Sequence, residues 1–308
     1  MILSHLQFVD DTILFSEANL EELQCIKRLL RNFELASGLK VNFQKSLICG
    51  IGVDDCFLNK VARLLCCKVG MLPISYLGLP LGANPRSLST WEPVINKFKS
   101  RLSVWKRKNL SLRGRLILLK PCLSNLPVYY MSLYKVPVQV CKELDKLQRR
   151  FLWGGHQGKR KMHLISWNVI ARDKSSGGWG ITPIQCKNAA LLGKWWWRFG
   201  SEKRALWRKV IIEKCDGSHK AWFPLSLNRK ACSPILKGIL SIADENSKYR
   251  SAILENLVIK VGSGHDILFW LDPWVSSSGF PLNLCGCCSL NSFLYLLKKS
   301  VMWQTYFQ

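Results

Sequence analysis

Between Lys97 and Cys215 the chain carries 27 Lys and Arg against 5 Asp and Glu, which is most of the +25 formal charge of its 308 residues. A stretch that basic can fold only if its charges stay in water while apolar side chains meet inside. The amphipathic helix separates the two with a period of 3.6 residues. Trp91 to about Trp105, Arg113 to about Leu119, Val138 to Trp153 and Ala189 to Phe199 each mix apolar positions with Lys or Arg, so helices are expected there. Two glycine-rich loops interrupt them, Gly154-Gly-His-Gln-Gly-Lys-Arg-Lys161 and Lys174-Ser-Ser-Gly-Gly-Trp-Gly180.

The first 90 residues have a different texture. Leu6 and Phe8 lead into Asp10-Asp11, and Thr12 to Phe15 come next, a pattern that fits two short strands around a tight turn. Leu20, Leu23, Ile26, Leu30 and Phe33 then recur at helical spacing, with Ser16 or Asn19 as the N-cap and Gly38 as the stop. Leu39 to Phe43 alternates like a strand, and Gly50, Gly52, Pro73, Gly78, Pro80, Gly82 and Pro85 divide the chain after it into short pieces. Beyond Cys215 the charge balance relaxes, and Leu257 to Val261 and Ile267 to Leu271 read as strands of a smaller terminal module. The expected class is α+β, in three parts: residues 1–88, a basic helical region 89–215, and a small mixed module 216–308.

Composition narrows the function. With 48% hydrophobic and 21% charged residues the chain is a folded protein. It lacks both an apolar run long enough to span a bilayer and the features of a secretory signal, so an intracellular location, nuclear or cytoplasmic, is expected. A pI near 9.8 calls for a polyanion. Acidic lipid is one choice, but the basic residues are spread over more than a hundred positions and interleaved with Trp and Tyr, as a nucleic-acid groove requires. The 13 cysteines have no disulfide framework and read as reduced thiols. Cys285 and Cys288 form one C-x-x-C, but a structural zinc site needs two more ligands, for which His265 is one candidate, and core or surface thiols are the preferred reading.

Adjacent carboxylates at a hairpin tip repel each other, and stability alone would choose Asn-Gly or Asp-Gly there. Asp10-Asp11 therefore has two readings. One is a solvated acidic turn. The other is a rigid platform for Mg²⁺, which takes oxygen ligands and, in two-metal phosphoryl transfer, stabilises the attacking and leaving oxygens.

Phe8-Val-Asp-Asp11 resembles the catalytic motif of the reverse transcriptase palm, and Leu6 to Phe15 is similar to its plant LINE version. Ser37-Gly-Leu-Lys-Val-Asn-Phe-Gln-Lys-Ser46 resembles the next palm motif, and Tyr76-Leu-Gly-Leu-Pro-Leu-Gly82 the segment joining palm to thumb. Phe151-Leu-Trp-Gly-Gly155, Gly177-Gly-Trp-Gly-Ile181 and Phe269-Trp-Leu-Asp-Pro-Trp274 are similar to the region that comes after the polymerase. The order matches along nearly the whole chain, so the resemblance is to the C-terminal part of a LINE-type non-LTR retrotransposon reverse transcriptase, an RNA-directed DNA polymerase.

That resemblance implies a partial polymerase palm over 1–88, a thumb and connection over 89–215, and Mg-dependent nucleotidyl transfer. Asp10 becomes a metal ligand, Asp11 its support, and Lys45 a group assisting the leaving pyrophosphate, with an ordinary surface lysine as the alternative. Gly78 and Gly82 fit either a close approach to the primer strand or simple turns. The family's other metal-binding aspartate and its fingers precede the motifs found here. Magnesium is therefore expected only together with those upstream residues, and the isolated chain is expected to be inactive.

The thumb would hold an RNA template or RNA-DNA duplex through Lys106, Arg107, Lys108, Arg113, Arg115, Lys159, Arg160, Lys161 and Arg198. Trp195-Trp-Trp197 offers base stacking, although three successive helical residues cannot share one face. Two other classes stand beside the polymerase: a non-catalytic RNA- or DNA-binding protein derived from a mobile element, and a product without retained activity.

Overall fold

The computed structural model describes residues 4–104, 110–153, 165–219, 221–224, 227–244, 247, 249 and 250. It is α+β, as expected, and divides into two compact units, 1–83 and 84–308.

The first unit opens with strands β1 (His5–Phe8) and β2 (Asp11–Leu14), paired antiparallel with Leu6 opposite Ile13 and Phe8 opposite Asp11. Helix α1 (Leu20–Ser37) comes next. The Asn19 side chain accepts a hydrogen bond from the Glu21 N–H, and Glu21 and Glu22 place negative charge at the positive end of the helix. Gly38 ends the helix in the left-handed conformation (φ 72°), where its N–H reaches the Glu34 carbonyl.

Leu39 to Phe43 is not a strand. Glu34 reaches forward to accept the Val41 N–H at 2.8 Å, and Asn42 turns the chain by accepting the Lys45 N–H with both its side-chain and backbone oxygens. These bonds to side chains and a turn draw the backbone away from a ladder. Pairing begins later, at β3 (Leu47–Ile48), which runs parallel to β4 (Lys68–Val69).

Helix α2 (Asp55–Leu65) connects the two strands. Asp54 caps it, and Leu58, Val61 and Ala62 are buried. It packs on α1, where Lys27 donates to the Leu64 carbonyl. A second hairpin, β5 (Ile74–Tyr76) with β6 (Leu79–Leu81), turns through Leu77 and Gly78, both at positive φ. That is the backbone a two-residue hairpin loop prefers.

The second unit is helical throughout its described part. Helices α3 (Leu88–Val104) and α4 (Leu112–Leu119) both pack on α6 (Val138–Trp153), and the one-turn α5 (Val128–Met131) packs on α8 (Ile184–Ser201). Trp91, Val94 and Phe98 of α3 and Val140, Leu144, Leu147 and Phe151 of α6 are buried. The expected helices are all present, and α8 begins five residues before the expected Ala189.

Helix α8 is central. Its buried residues run from Ile184 to Gly200, and Ala189, Leu192, Trp196 and Phe199 continue into a cluster with Ile212, Phe223, Leu227, Ile239, Leu240 and Ala243. The short helices α7 (Trp167–Ile170), α9 (Leu206–Lys214) and α10 (Pro234–Leu240) complete the described unit. Burying a large apolar side chain fully stabilises by about 1.5–3 kcal/mol, so this cluster anchors the unit. Among the described residues no helix is long and apolar enough to cross a membrane.

Candidate functional site

Asp10 and Asp11 sit at the tip of the first hairpin. Val9 and Asp10 form its two-residue turn, and Asp11 begins β2 opposite Phe8. Val9 has φ 55°, a conformation that is costly for a β-branched residue and persists only where its surroundings enforce it. Both aspartates are exposed, and neither carboxylate makes a hydrogen bond or ion pair among the described residues. Their oxygens are therefore free for an ion, and hard carboxylate donors suit Mg²⁺. The hairpin supplies two such groups, and no cluster of three or more His, Cys, Asp or Glu able to hold a metal occurs among the described residues.

Lys45 is exposed in the turn after Asn42, with no hydrogen bond or ion pair to either aspartate among the described residues. Gly78 and Gly82 have φ 75° and 82°. A Cβ on Gly82 would meet Leu72 side-chain atoms at 3.1 Å, so local packing already accounts for that glycine.

The basic residues fall into three groups. Arg113 is exposed in the first turn of α4. Arg115 is engaged internally: its Nε donates to the Leu110 carbonyl at 3.1 Å and a terminal nitrogen to the Leu152 carbonyl at 2.8 Å, tying α4 to the end of α6. Arg198 forms a two-pronged pair with Glu202 (2.6 and 3.0 Å) and lies over the Trp195 ring at 4.7 Å. Arg198, ahead of a bond from the Trp207 indole, holds the Glu202 carboxyl below its ordinary range. Lys106, Arg107, Lys108, Lys159, Arg160 and Lys161 lie outside the described residues, as do Trp105, His265, Cys285, Cys288, the Phe269–Trp274 segment and the expected strands at 257–261 and 267–271.

The three successive tryptophans are used inside the unit. Trp196 is fully buried and donates to the Ile239 carbonyl, Trp195 donates to the Ser132 carbonyl and meets Trp207 edge-on, and Trp197 meets Trp222. Their residual faces are limited by these contacts. The ten described cysteines are free.

Sequence reasoning missed Lys120, Lys174 and Lys187. Lys187 is half-buried, donates to the Ser124 carbonyl and the Asn125 side chain, and has its pKa pushed down by desolvation to about 8. Lys120 and Lys174 approach each other at Gly180. Lys174 opens a loop that the sequence marks, but the neighbours of all three lysines are brought in by folding.

No family model matches the chain. It is similar to an Arabidopsis thaliana protein named for ribonuclease H, with 34% identity over 195 residues. That match takes in 63% of this chain and 30% of the relative, so the chain spans well under half of that protein's length. It is also similar to an uncharacterized mitochondrial protein of Arabidopsis thaliana, with 25% identity over 154 residues, 49% of this chain and 92% of that protein.

Proposed function

We propose that this chain is the later palm, thumb and following segment of an RNA-directed DNA polymerase from a LINE-type non-LTR retrotransposon. The observation that carries the reading is the Asp10-Asp11 pair, held at the tip of a two-residue hairpin turn with both carboxylates free of partners among the described residues. A fold does not gain stability from two adjacent unneutralised charges, whereas nucleotidyl transfer needs carboxylates fixed in this way. The ordered motifs support the reading. So does similarity to a much longer protein named for ribonuclease H, because RNA is the substrate of that activity.

In the full polymerase Asp10 would hold the ion and Asp11 would support it, together with residues from upstream strands, and a magnesium ion there would supply charge neutralisation at the phosphates. Lys45 offers an ammonium to the departing pyrophosphate. The second unit, through the exposed Arg113 and the basic residues Lys106, Arg107, Lys108, Lys159, Arg160 and Lys161 of its sequence, holds the RNA-DNA duplex by its phosphates.

Two assays test this. On this chain, binding to a labelled RNA-DNA hybrid should weaken at least about a hundredfold between 50 and 200 mM KCl, as several phosphate contacts require. On the chain extended upstream to include the other palm strands, Fe²⁺ with ascorbate and hydrogen peroxide in place of Mg²⁺ should cut the backbone beside Asp10, and the cut should be suppressed by excess Mg²⁺ and disappear in Asp10→Asn. Hybrid binding without metal-directed cleavage would favour a non-catalytic nucleic-acid-binding protein. Loss of both would remove the polymerase reading.

A further inference from the structure

Lys120 closes α4, and Lys174 begins the one-turn 3₁₀ helix Lys174–Ser176. Although 54 positions apart in sequence, the two meet at Gly180, where a Cβ would lie 3.7 Å from the Lys120 Nζ and 3.6 Å from the Lys174 Cγ. Neither ammonium has a hydrogen-bond or ion-pair partner among the described residues. Partial burial, and then the positive charge of Lys174, lower the Lys120 pKa.

The surroundings are built rather than accidental. The loop that brings Gly180 to Lys120 is fixed by three backbone bonds: Gly178 N–H to the Asp173 carbonyl, Trp179 N–H to Ile170 and Gly180 N–H to Arg172, at 2.8–2.9 Å. Trp179 packs against Trp153 at the end of α6 with ring centroids 5.6 Å apart, and Arg115 ties that same end to α4. Three elements thus converge to bring two basic side chains together at Gly180, close enough for the charge of Lys174 to act on Lys120. Gly180 itself sits at φ 65°, and having no side chain it leaves the space over the lysines open.

We propose that Lys120 and Lys174 form a phosphate-binding site that grips a nucleic-acid strand at one phosphodiester, beside the half-buried Trp153–Trp179 pair. The nucleic-acid part rests on the proposed function, and the phosphate chemistry rests on the site alone. Two ammonium groups act as point charges for one anion and remove the repulsion between them when it binds. The site differs from Arg115 and Arg198, which are already engaged inside the protein.

The test uses the full chain and its Lys120→Gln/Lys174→Gln variant, with Lys146→Gln on the exposed face of α6 as control. Anisotropy of a labelled RNA-DNA hybrid is measured across a KCl series, and thermal melting confirms the fold of each variant. The double variant should bind about tenfold more weakly at 100 mM KCl, with the slope of log K against log[KCl] shallower by about 1. The control should match the parent.

In parallel, acetylation of individual lysines in the parent chain is monitored by mass spectrometry with hybrid or with inorganic pyrophosphate. Protection of Lys120 and Lys174 by the hybrid supports the proposal. If the hybrid does not bind the parent chain but pyrophosphate protects both lysines, the proposed function fails and the phosphate site stands as one for free phosphates. Unchanged hybrid affinity in the double variant, or protection by neither probe, overturns the site.

Discussion

Asn188 lies on α8 and is 5% exposed, yet all its hydrogen-bonding capacity in the fold is directed at one short stretch of backbone. Its side-chain oxygen accepts the Val136 N–H at 3.0 Å, and its amide donates to the Met131 and Tyr134 carbonyls at 2.8 and 2.9 Å. The Met131 carbonyl is the last of α5, and the other two groups belong to the segment between α5 and α6. Asn188→Ala removes the partner of one buried N–H and two carbonyls at once. A buried polar group left unpaired costs about 1–3 kcal/mol. Allowing for relaxation and entry of water, the loss should be about 3–5 kcal/mol, a large share of a typical domain's 5–15 kcal/mol.

All 13 tryptophans lie in residues 84–308, so urea unfolding monitored by indole fluorescence reports on this unit without interference from the first. Asn188→Asp is the sharper variant. Its carboxylate still accepts from Val136 but faces two carbonyl oxygens, so it should be as destabilising as alanine at neutral pH and partly recover in acid, where the carboxyl can donate. A loss below about 1 kcal/mol for Asn188→Ala, at unchanged m-value, would refute the bracing role.

Asp145 on α6 has a buried carboxylate oxygen without a hydrogen-bond partner among the described residues, and burial raises its pKa to about 6 despite the opposing charge of Arg149. The fold therefore holds this proton more tightly than the unfolded chain. This contribution is greatest below about pH 4, declines as pH rises through 6 and is constant above. Asp145→Asn should gain about 1–2 kcal/mol over the parent at pH 7 and nothing at pH 4, and a pH-independent difference in melting would contradict this. A Cβ on Gly178 would lie 2.1 Å from the Arg172 carbonyl oxygen. Gly178→Ala should therefore displace the loop, cost about 2 kcal/mol or more and weaken hybrid binding along with the Lys120–Lys174 site. A neutral effect on both melting and binding would count against the loop geometry.

The long helices were legible because their signal is local. Val140, Leu144, Leu147 and Phe151 repeat on one face of α6, and the cap at Asn19 and stop at Gly38 bracket α1. The supposed strand at 39–43 failed for an equally local reason, because Glu34 and Asn42 take up the backbone groups that a ladder would need. Helix α2 was hidden among the glycines and prolines around it, although Asp54 is an ordinary cap. The charge balance changes near Cys215, but the packing does not, since one apolar cluster spans residues on both sides of it.

At the candidate sites, the aspartate hairpin could be read from its alternation alone. The tertiary partner of Arg115 could not, since Leu152 lies 37 residues away, whereas the pairing of Arg198 with Glu202 obeys the i,i+4 spacing and was there to be read. Lys120 and Lys174 meet only once the loop around Gly180 is in place.

The polymerase assignment is tested most directly by sequencing the transcript upstream of the Met1 codon. The assignment predicts an in-frame continuation encoding another aspartate-bearing strand and the segments that hold template and nucleotide. A stop codon or unrelated sequence directly upstream would contradict it, leaving nucleic-acid binding as the activity to pursue.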